Sequence, residues 1–246
     1  MIRQVDATDP RELAAAISSA VTAVRRGQVV VVPTESSYAL ATDAFRVDGV
    51  ARIRHMKNRD DTLPLPVAIG RTVTADGLLV DVSSAARALM QAFWPGMLTV
   101  IGRTQPALTW SVSAPGDHTV SVRMPLHPVA WQLAHEVGPL ALTAANIAGS
   151  PAPVTCEQAA SSFAEAATMY FDVGPLPEQR PSTVIDVTGP VPTLVRPGAI
   201  SLDQLRSVAD VIDPSTPEPP ALPEDGQQDP GDPSVEQSHP DRQSPA

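Results

Sequence analysis

The stretch Gln28-Val29-Val30-Val31-Val32-Pro33-Thr34-Glu35-Ser36-Ser37-Tyr38-Ala39-Leu40 sets the reading of the chain. Four consecutive β-branched residues make a strand, and their unbroken apolarity is that of a strand buried on both faces of a sheet. Pro33 cannot donate to a ladder and ends the run. Directly upstream, Leu13, Ala16, Ile17, Ala20, Val21 and Val24 recur at helical spacing within 10–26. Asp9 is placed to cap that helix, Pro10 suits its first turn, Glu12 completes a capping-box pattern and Gly27 stops it. A helix feeding a doubly buried strand points to a layered α/β domain.

Outward from this unit, strands are expected at 66–70, 97–102, 119–123, 139–143, 168–172, 183–187 and 192–195. Helices are expected at 48–57, 83–93, 127–137, 155–165 and 201–209. Their irregular order, with several strands adjacent, predicts a single α/β domain built on a twisted mixed sheet, parallel and antiparallel, flanked by helices. No apolar run approaches the ~18–20 residues of a membrane span, and the first residues show no signal-peptide core. A single cysteine, Cys156, excludes an internal disulfide framework and a Cys-cluster metal site. A reduced, cytoplasmic protein that makes no membrane contact is expected.

Charge divides the chain. Of a formal net −10, residues 213–246 carry −7, with eight carboxylates against Arg242 alone, and nine of the 27 prolines. So little apolar surface cannot offset the entropy of ordering, which predicts a folded domain over 1–212 and a disordered acidic, Pro-rich tail over 213–246. The acidic balance opposes general nucleic-acid binding and leaves a local basic groove on the folded part as the route to RNA. Sixteen of the 17 basic residues are arginine; the single lysine is Lys57. An ammonium is a compact point charge on a flexible stem, which guanidinium does not imitate.

Four polar segments follow apolar ones. Thr34, Ser36, Ser37 and Tyr38 form a donor-rich lip at a strand exit, where open α/β sheets bind ligands; such hydroxyls also satisfy their own turns. Lys57-Asn58-Arg59 places two cations at a helix end, able to grip phosphates or simply to complement the dipole. Thr143-Ala-Ala-Asn146-Ile-Ala-Gly149 offers an amide and a permissive glycine. Arg123, and Arg196 near Ser182, each interrupt an apolar strand pattern, which is costly unless the guanidinium meets an anion or the position faces solvent. The five histidines lack metal-ligand spacing, and neither a dinucleotide-binding glycine motif nor a phosphate-binding P-loop is present. No metal site is expected. Cys156 is read as a small structural residue, and Phe93-Trp94-Pro95-Gly96 as a packed helix-to-strand corner.

Jointly and in this order, the segments resemble the YrdC-like family of threonylcarbamoyl-AMP synthases over about residues 1–210. Pro33-Thr-Glu-Ser-Ser-Tyr-Ala-Leu40 is similar to the family's P-T-[DE]-T-x-Y-G-L, and Lys57-x-Arg59 to its K-x-R. Phe93-Trp-Pro-Gly96, Val122-Arg-Met-Pro125, Asn146 with Gly149, Ser182-Thr-Val-Ile-Asp186 and Arg196-Pro-Gly198 match further landmarks. The resemblance implies that L-threonine, bicarbonate and ATP yield threonylcarbamoyl-AMP and pyrophosphate for the t6A modification of tRNA. It implies Lys57 and Arg59 as catalytic cations on the nucleotide phosphates. Thr34, Ser36, Tyr38, Arg123 and Ser182 would serve threonine, and Asn146 and Arg196 the nucleotide. Mg²⁺ would arrive with ATP, no tightly bound cofactor is implied, and downstream threonylcarbamoyl-transfer proteins would take the product.

The chain departs from the pattern at four places. Ala144 replaces the serine of S-x-N, Ala148 replaces the next serine, Ala39 replaces a glycine, and Asp60-Asp61 follow Arg59 where proline is usual. These changes carry the alternative expectation, a paralogue that binds nucleotide or RNA without synthase activity.

Overall fold

The computed structural model describes residues 3–58, 63–177 and 180–215. The chain divides after Pro214; of Ser215–Ala246 only Ser215 is among the described residues, so the expected tail lies outside them from residue 216 onward. In chain order the elements are β1 (Gln4–Asp6), α1 (Pro10–Arg25), β2 (Val30–Pro33), β3 (Tyr38–Asp43), α2 (Val47–Met56), β4 (Val67–Ala68), α3 (Thr72–Leu78), β5 (Leu79–Val80) and α4 (Ser84–Phe93). There follow β6 (Leu98–Thr104), β7 (Thr119–Arg123), α5 (Pro128–Val137), β8 (Leu140–Ala144), α6 (Cys156–Phe163), β9 (Met169–Asp172), β10 (Thr183–Asp186), β11 (Thr193–Arg196) and α7 (Leu202–Arg206).

One eleven-stranded sheet runs β1-β9-β2-β3-β8-β4-β7-β6-β10-β11, with β5 paired to β6 off this path. It is mixed, as expected: β1–β9, β9–β2, β4–β7 and β6–β10 are parallel, the other neighbours antiparallel. Val29–Val32 are fully buried, as a strand covered on both faces requires.

The two faces are covered unequally, because β-strand side chains alternate. Val31, Leu40, Val67, Val100, Val122 and Ile185 point into a core closed by Val50 and Ile53 of α2, Leu78 of α3, Leu89 of α4 and Phe163 of α6. On the opposite face Val30, Val32, Ala41, Ala68 and Leu140 pack under Ile17, Ala20 and Val24 of α1 and Val129, Leu133 and Ala134 of α5. Those two helices roof only part of the sheet. Beyond them the same face is bare, and there the cleft opens.

Four elements go beyond the sequence expectations. Residues 38–43, expected to be an exit segment, form β3: Pro33 pairs with Tyr38, and Thr34 N donates to Ser37 O at 2.9 Å to close a tight hairpin turn. Strands β1 and β5 are too short to show a period, and α3 has little helix propensity, opening on Thr-Val-Thr and holding Gly77. A local correction concerns α1. Asp9 caps it by accepting from Arg11 N at 2.8 Å, but the reciprocal capping-box bond expected of Glu12 is absent; full boxes form at Thr155–Gln158 and Ser201–Gln204.

Candidate active site

The bare part of the sheet floors a cleft of about 570 Å³. Its chemistry splits in two along the strand order. Ala39 of β3, Leu142 and Ala144 of β8, Ala68 of β4 and Ala152 form a mostly aliphatic wall, to which Thr143 of β8 adds a hydroxyl-bearing side chain. Thr99 of β6, Ser121 and Arg123 of β7, Ser182 just before β10 and Arg196 of β11 form a polar, cationic one. Thr34 and Ser36, in the β2–β3 turn, stand at the lip. Five expected site residues, Thr34, Ser36, Arg123, Ser182 and Arg196, thus meet in one cavity although they span 162 positions of sequence (34 to 196).

The lip serves both readings of its hydroxyls. Thr34 Oγ1 donates to Ser37 O at 2.7 Å and accepts from the backbone N–H groups of Ser36 and Ser37 at 3.3 Å each, so it is mostly spent on the turn. Ser36 Oγ lies 3.4 Å from Thr34 Oγ1 and is the better placed of the two to meet a ligand.

The cationic wall is a chain of polar contacts. Arg196 Nη2 donates to Ser182 O at 2.8 Å and to Ser182 Oγ at 3.2 Å, and Ser182 Oγ lies 2.8 Å from Thr99 Oγ1. Gly198 makes this possible: a Cβ there would come within 2.4 Å of Pro181 O and 2.5 Å of Thr183 N, so only a residue without a side chain lets the two segments touch. Arg196 is exposed, so its place in an apolar strand costs little desolvation. Arg123 is the costly one. It donates through Nε to Gly96 O at 2.8 Å and through Nη2 to Glu35 Oε2 at 2.7 Å. Burial lowers its pKa from the ordinary value, the Glu35 carboxylate opposes that shift, and the like charge of Arg196 adds to it.

Lys57 follows the last turn of α2 and is only 5% exposed. Its Nζ donates to Ala144 O at 2.7 Å, and to Asn146 O and Asn146 Oδ1 at 2.8 Å each. The ammonium therefore sits behind the cleft-lining end of β8 and binds the following loop, where Asn146 Nδ2 also reaches Ser150 O. Lys57 and Asn146 are brought together, but neither is among the residues that line the cleft. Arg59, with Asp60 and Asp61, lies outside the described residues.

Tyr38 corrects an expectation. It does not line the cleft: fully buried, its hydroxyl donates to Gly174 O at 2.7 Å and accepts from Val173 N at 3.1 Å. Burial pushes its pKa up, so the phenol stays protonated as a brace between β3 and the end of β9. Cys156, first residue of α6, is buried with its thiol pushed up to about 12, as suits a structural residue. Glu35, Thr99 and Ser121 were not foreseen; the signal for the last two was a hydroxyl at an alternate position of an apolar strand, the pattern of a strand with one wet face.

The departures at 39 and 144 prove to be a single feature. The β3–β8 register sets Ala39 directly opposite Ala144, both at the cleft, so the pair presents two methyl groups. Ala148 is exposed in the loop beyond.

A half-roofed mixed sheet whose open face joins an aliphatic wall to a cationic one is the build of an α/β protein that binds a small anionic ligand. Residues 22–198 match the Sua5/YciO/YrdC family model, described as "Telomere recombination", and the chain belongs to that family. A Mycobacterium tuberculosis (strain H37Rv) protein named "Putative threonylcarbamoyl-AMP synthase" is 41% identical over 213 residues, which cover 86% of this chain and 97% of that protein. The threonylcarbamoyl-AMP synthase of Bacillus subtilis (strain 168) is 37% identical across 78% of this chain, which spans 56% of that protein's length. Among solved structures, Pyrococcus abyssi Sua5 complexed with L-threonine superposes with a TM-score of 0.77 at 31% identity, covering 86% of this chain and 62% of that one. Escherichia coli YciO superposes with a TM-score of 0.71 at 25% identity, covering 83% of this chain and 98% of that one. No helix among the described residues is long and apolar enough to cross a membrane.

Proposed function

We propose that this chain is a threonylcarbamoyl-AMP synthase, joining L-threonine, bicarbonate and ATP into threonylcarbamoyl-AMP and pyrophosphate for the t6A modification of tRNA. The observation that carries this reading is the meeting of Arg123 and Arg196 with the hydroxyl-bearing turn 34–37 in one cleft, backed by an aliphatic wall. The names of the relatives and the threonine complex of a structural neighbour support it.

The chemistry asks for positioning and charge neutralisation. The threonine amine and bicarbonate condense with loss of water to a carbamate. A carbamate oxygen then attacks the α-phosphorus of ATP, the bond from that phosphorus to the bridging oxygen breaks, and pyrophosphate leaves. Bicarbonate and ATP are anions, threonine brings a carboxylate and its carbamate is a second negative group, so bringing them together is opposed by their own charge until fixed cations face them. Arg123, beside the lip, takes the threonine carboxylate, with Ser36 and Ser182 as neutral donors. Arg196, at the far end of the same wall, takes nucleotide phosphates. The aliphatic wall accepts the apolar part of a ligand. Lys57 neutralises the transferring group by exchanging one of its carbonyl acceptors for a phosphate oxygen. The assignment of Arg59 to the phosphates rests on the K-x-R resemblance.

The described cleft lining holds no carboxylate, and among the described residues no cluster of His, Cys, Asp and Glu could hold a metal ion. These residues do not fit a protein-held Mg²⁺; the ion would come and go with ATP. The product is a mixed anhydride that hydrolyses readily, which calls for a threonylcarbamoyl-transfer protein downstream. In the decisive assay, purified chain releases pyrophosphate from ATP only when both L-threonine and bicarbonate are supplied. No release under those conditions, with a Bacillus subtilis synthase working alongside, overturns the reading.

A further inference from the structure

Glu35 lies between two residues of the lip, yet its carboxylate faces away from the turn. Oε2 accepts from Arg123 Nη2 at 2.7 Å, and Oε1 accepts from Leu126 N at 2.5 Å. Both members of the ion pair are only 12% exposed, far from the solvent-screened pairs that contribute little. One side chain thus ties together the β2–β3 turn, the end of β7 and the loop after it, where Pro125 borders the cleft and Leu126 stands 59% exposed at the surface.

The arrangement leaves one part of the guanidinium in reserve. Nε is committed to Gly96 O and Nη2 to Glu35 and Met97 Sδ, whereas Nη1 has no hydrogen-bond partner among the described residues. Arg123 and Arg196 are like charges acting on each other across one wall, and the Glu35 carboxylate is the counter-ion that lets them share it. Without it, the mostly buried Arg123 would be drawn toward solvent, out of reach of the lip.

We propose that Glu35 is the positioning residue of this site, fixing Arg123 so that its Nη1 edge meets the carboxylate of the amino-acid substrate beside Ser36. The proposal rests on the synthase reading for the identity of that substrate. It assigns Glu35 an effect on threonine rather than on ATP, because the pair sits at the lip and Arg196 at the other end.

The test compares Glu35→Gln, Glu35→Asp, Arg123→Gln and the Glu35→Gln/Arg123→Gln double variant. Glu35→Gln keeps the shape and removes the charge. It is expected to raise the KM for L-threonine tenfold or more and to leave the KM for ATP within about twofold, with a lower melting temperature because the buried Arg123 loses its counter-ion. Glu35→Asp, with the charge kept on a shorter stem, recovers part of the loss. The double variant is no worse than Arg123→Gln alone, because Glu35 acts through Arg123. Unchanged threonine kinetics in Glu35→Gln, an equal rise in both KM values, or strict additivity in the double variant overturns the proposal. Should Glu35→Gln fail to fold, Glu35→Asp decides by the same KM comparison. Calorimetric titration of L-threonine gives a readout without turnover. A parent chain that binds threonine but releases no pyrophosphate overturns the synthase reading, while the variants' threonine affinities still judge Glu35. A parent chain that does neither overturns both.

Discussion

The two walls of the cleft are built from the same sheet face and handle charge in opposite ways. The β3–β8–β4 wall is mostly aliphatic, and Lys57 is hidden behind it, bound to three oxygens of the β8 exit. The β7–β6–β10–β11 wall shows its cations: Arg196 is exposed and Arg123 is held in place by Glu35. A buried ammonium with several acceptors is part of the framework. An exposed guanidinium resting on a serine is a group waiting for a ligand. Equal formal charge at a site thus does not mean equal duty, and substitution of each cation separates the two roles.

The largest effect is expected at Lys57. Lys57→Met keeps the stem but leaves Ala144 O, Asn146 O and Asn146 Oδ1 without their donor. Stranding buried acceptors should cost roughly 3 kcal/mol, or roughly 6–12 °C in Tm at about 2–4 °C per kcal/mol for a domain of this size. Turnover should vanish with it. Thermal unfolding measured beside pyrophosphate release checks this, and a variant with full stability and no activity would make Lys57 a purely catalytic cation. The counterpart is Arg196→Gln. Loss of one charge-assisted contact to an anion predicts a fall in kcat/KM for ATP of about 10–100-fold. Its exposed position predicts a Tm within about 2 °C of the parent, as for surface substitutions generally. If Arg196→Gln destabilises as much as Lys57→Met, the contrast between the walls is lost.

How much of this was written in the sequence depends on the range of the forces involved. The Val29–Val32 run and the periodic face of α1 were legible because a buried strand and an amphipathic helix are patterns of neighbours. Arg123 and Arg196 stood out because a guanidinium in an apolar strand is a local anomaly with a physical cost. Strand β3 was hidden by its own hairpin: the turn chemistry of Thr34–Ser37 reads as a loop, and the alternation after it is short. Tyr38 shows the limit of motif reading, since its neighbours Thr34 and Ser36 line the cleft and strand alternation does not say that the phenol is spent on Gly174. Glu35 was out of reach for another reason. Its partner is 88 residues away, and it takes the hairpin turn together with the β3–β8, β8–β4 and β4–β7 pairings to bring them together.

A smaller effect sharpens the aliphatic wall. Ala144→Ser places a hydroxyl opposite Ala39, at a position already lining the cleft. One added hydrogen bond is worth about 1 kcal/mol, so ATP affinity should rise about fivefold with Tm unchanged. Calorimetric titration of ATP measures it. No change, or a loss, would mean that ligands keep clear of this pair and that the wall is aliphatic because it contacts apolar groups alone.

The smallest effect concerns the rim that joins the walls. His127 precedes α5 as its cap, with Nδ1 accepting from Val129 N at 3.3 Å, a role open only to the neutral ring. Burial lowers its pKa from 6.5, and the Glu35 carboxylate nearby partly opposes the shift. The folded chain then holds fewer protons on this ring than the unfolded chain between the folded value and about 6.5. Stability from this group is therefore complete above about pH 6.5, declines as the pH falls through that window, and levels off below the folded value. His127→Asn keeps a capping acceptor and removes the titration, so its Tm should decline less than the parent's between pH 7.5 and pH 5. Glu35→Gln removes the one charge that favours the imidazolium, so its decline should be steeper than the parent's. Parallel Tm curves for the parent and both variants would detach His127 from the Glu35–Arg123 pair and leave the lip and the α5 cap as independent features of the cationic wall.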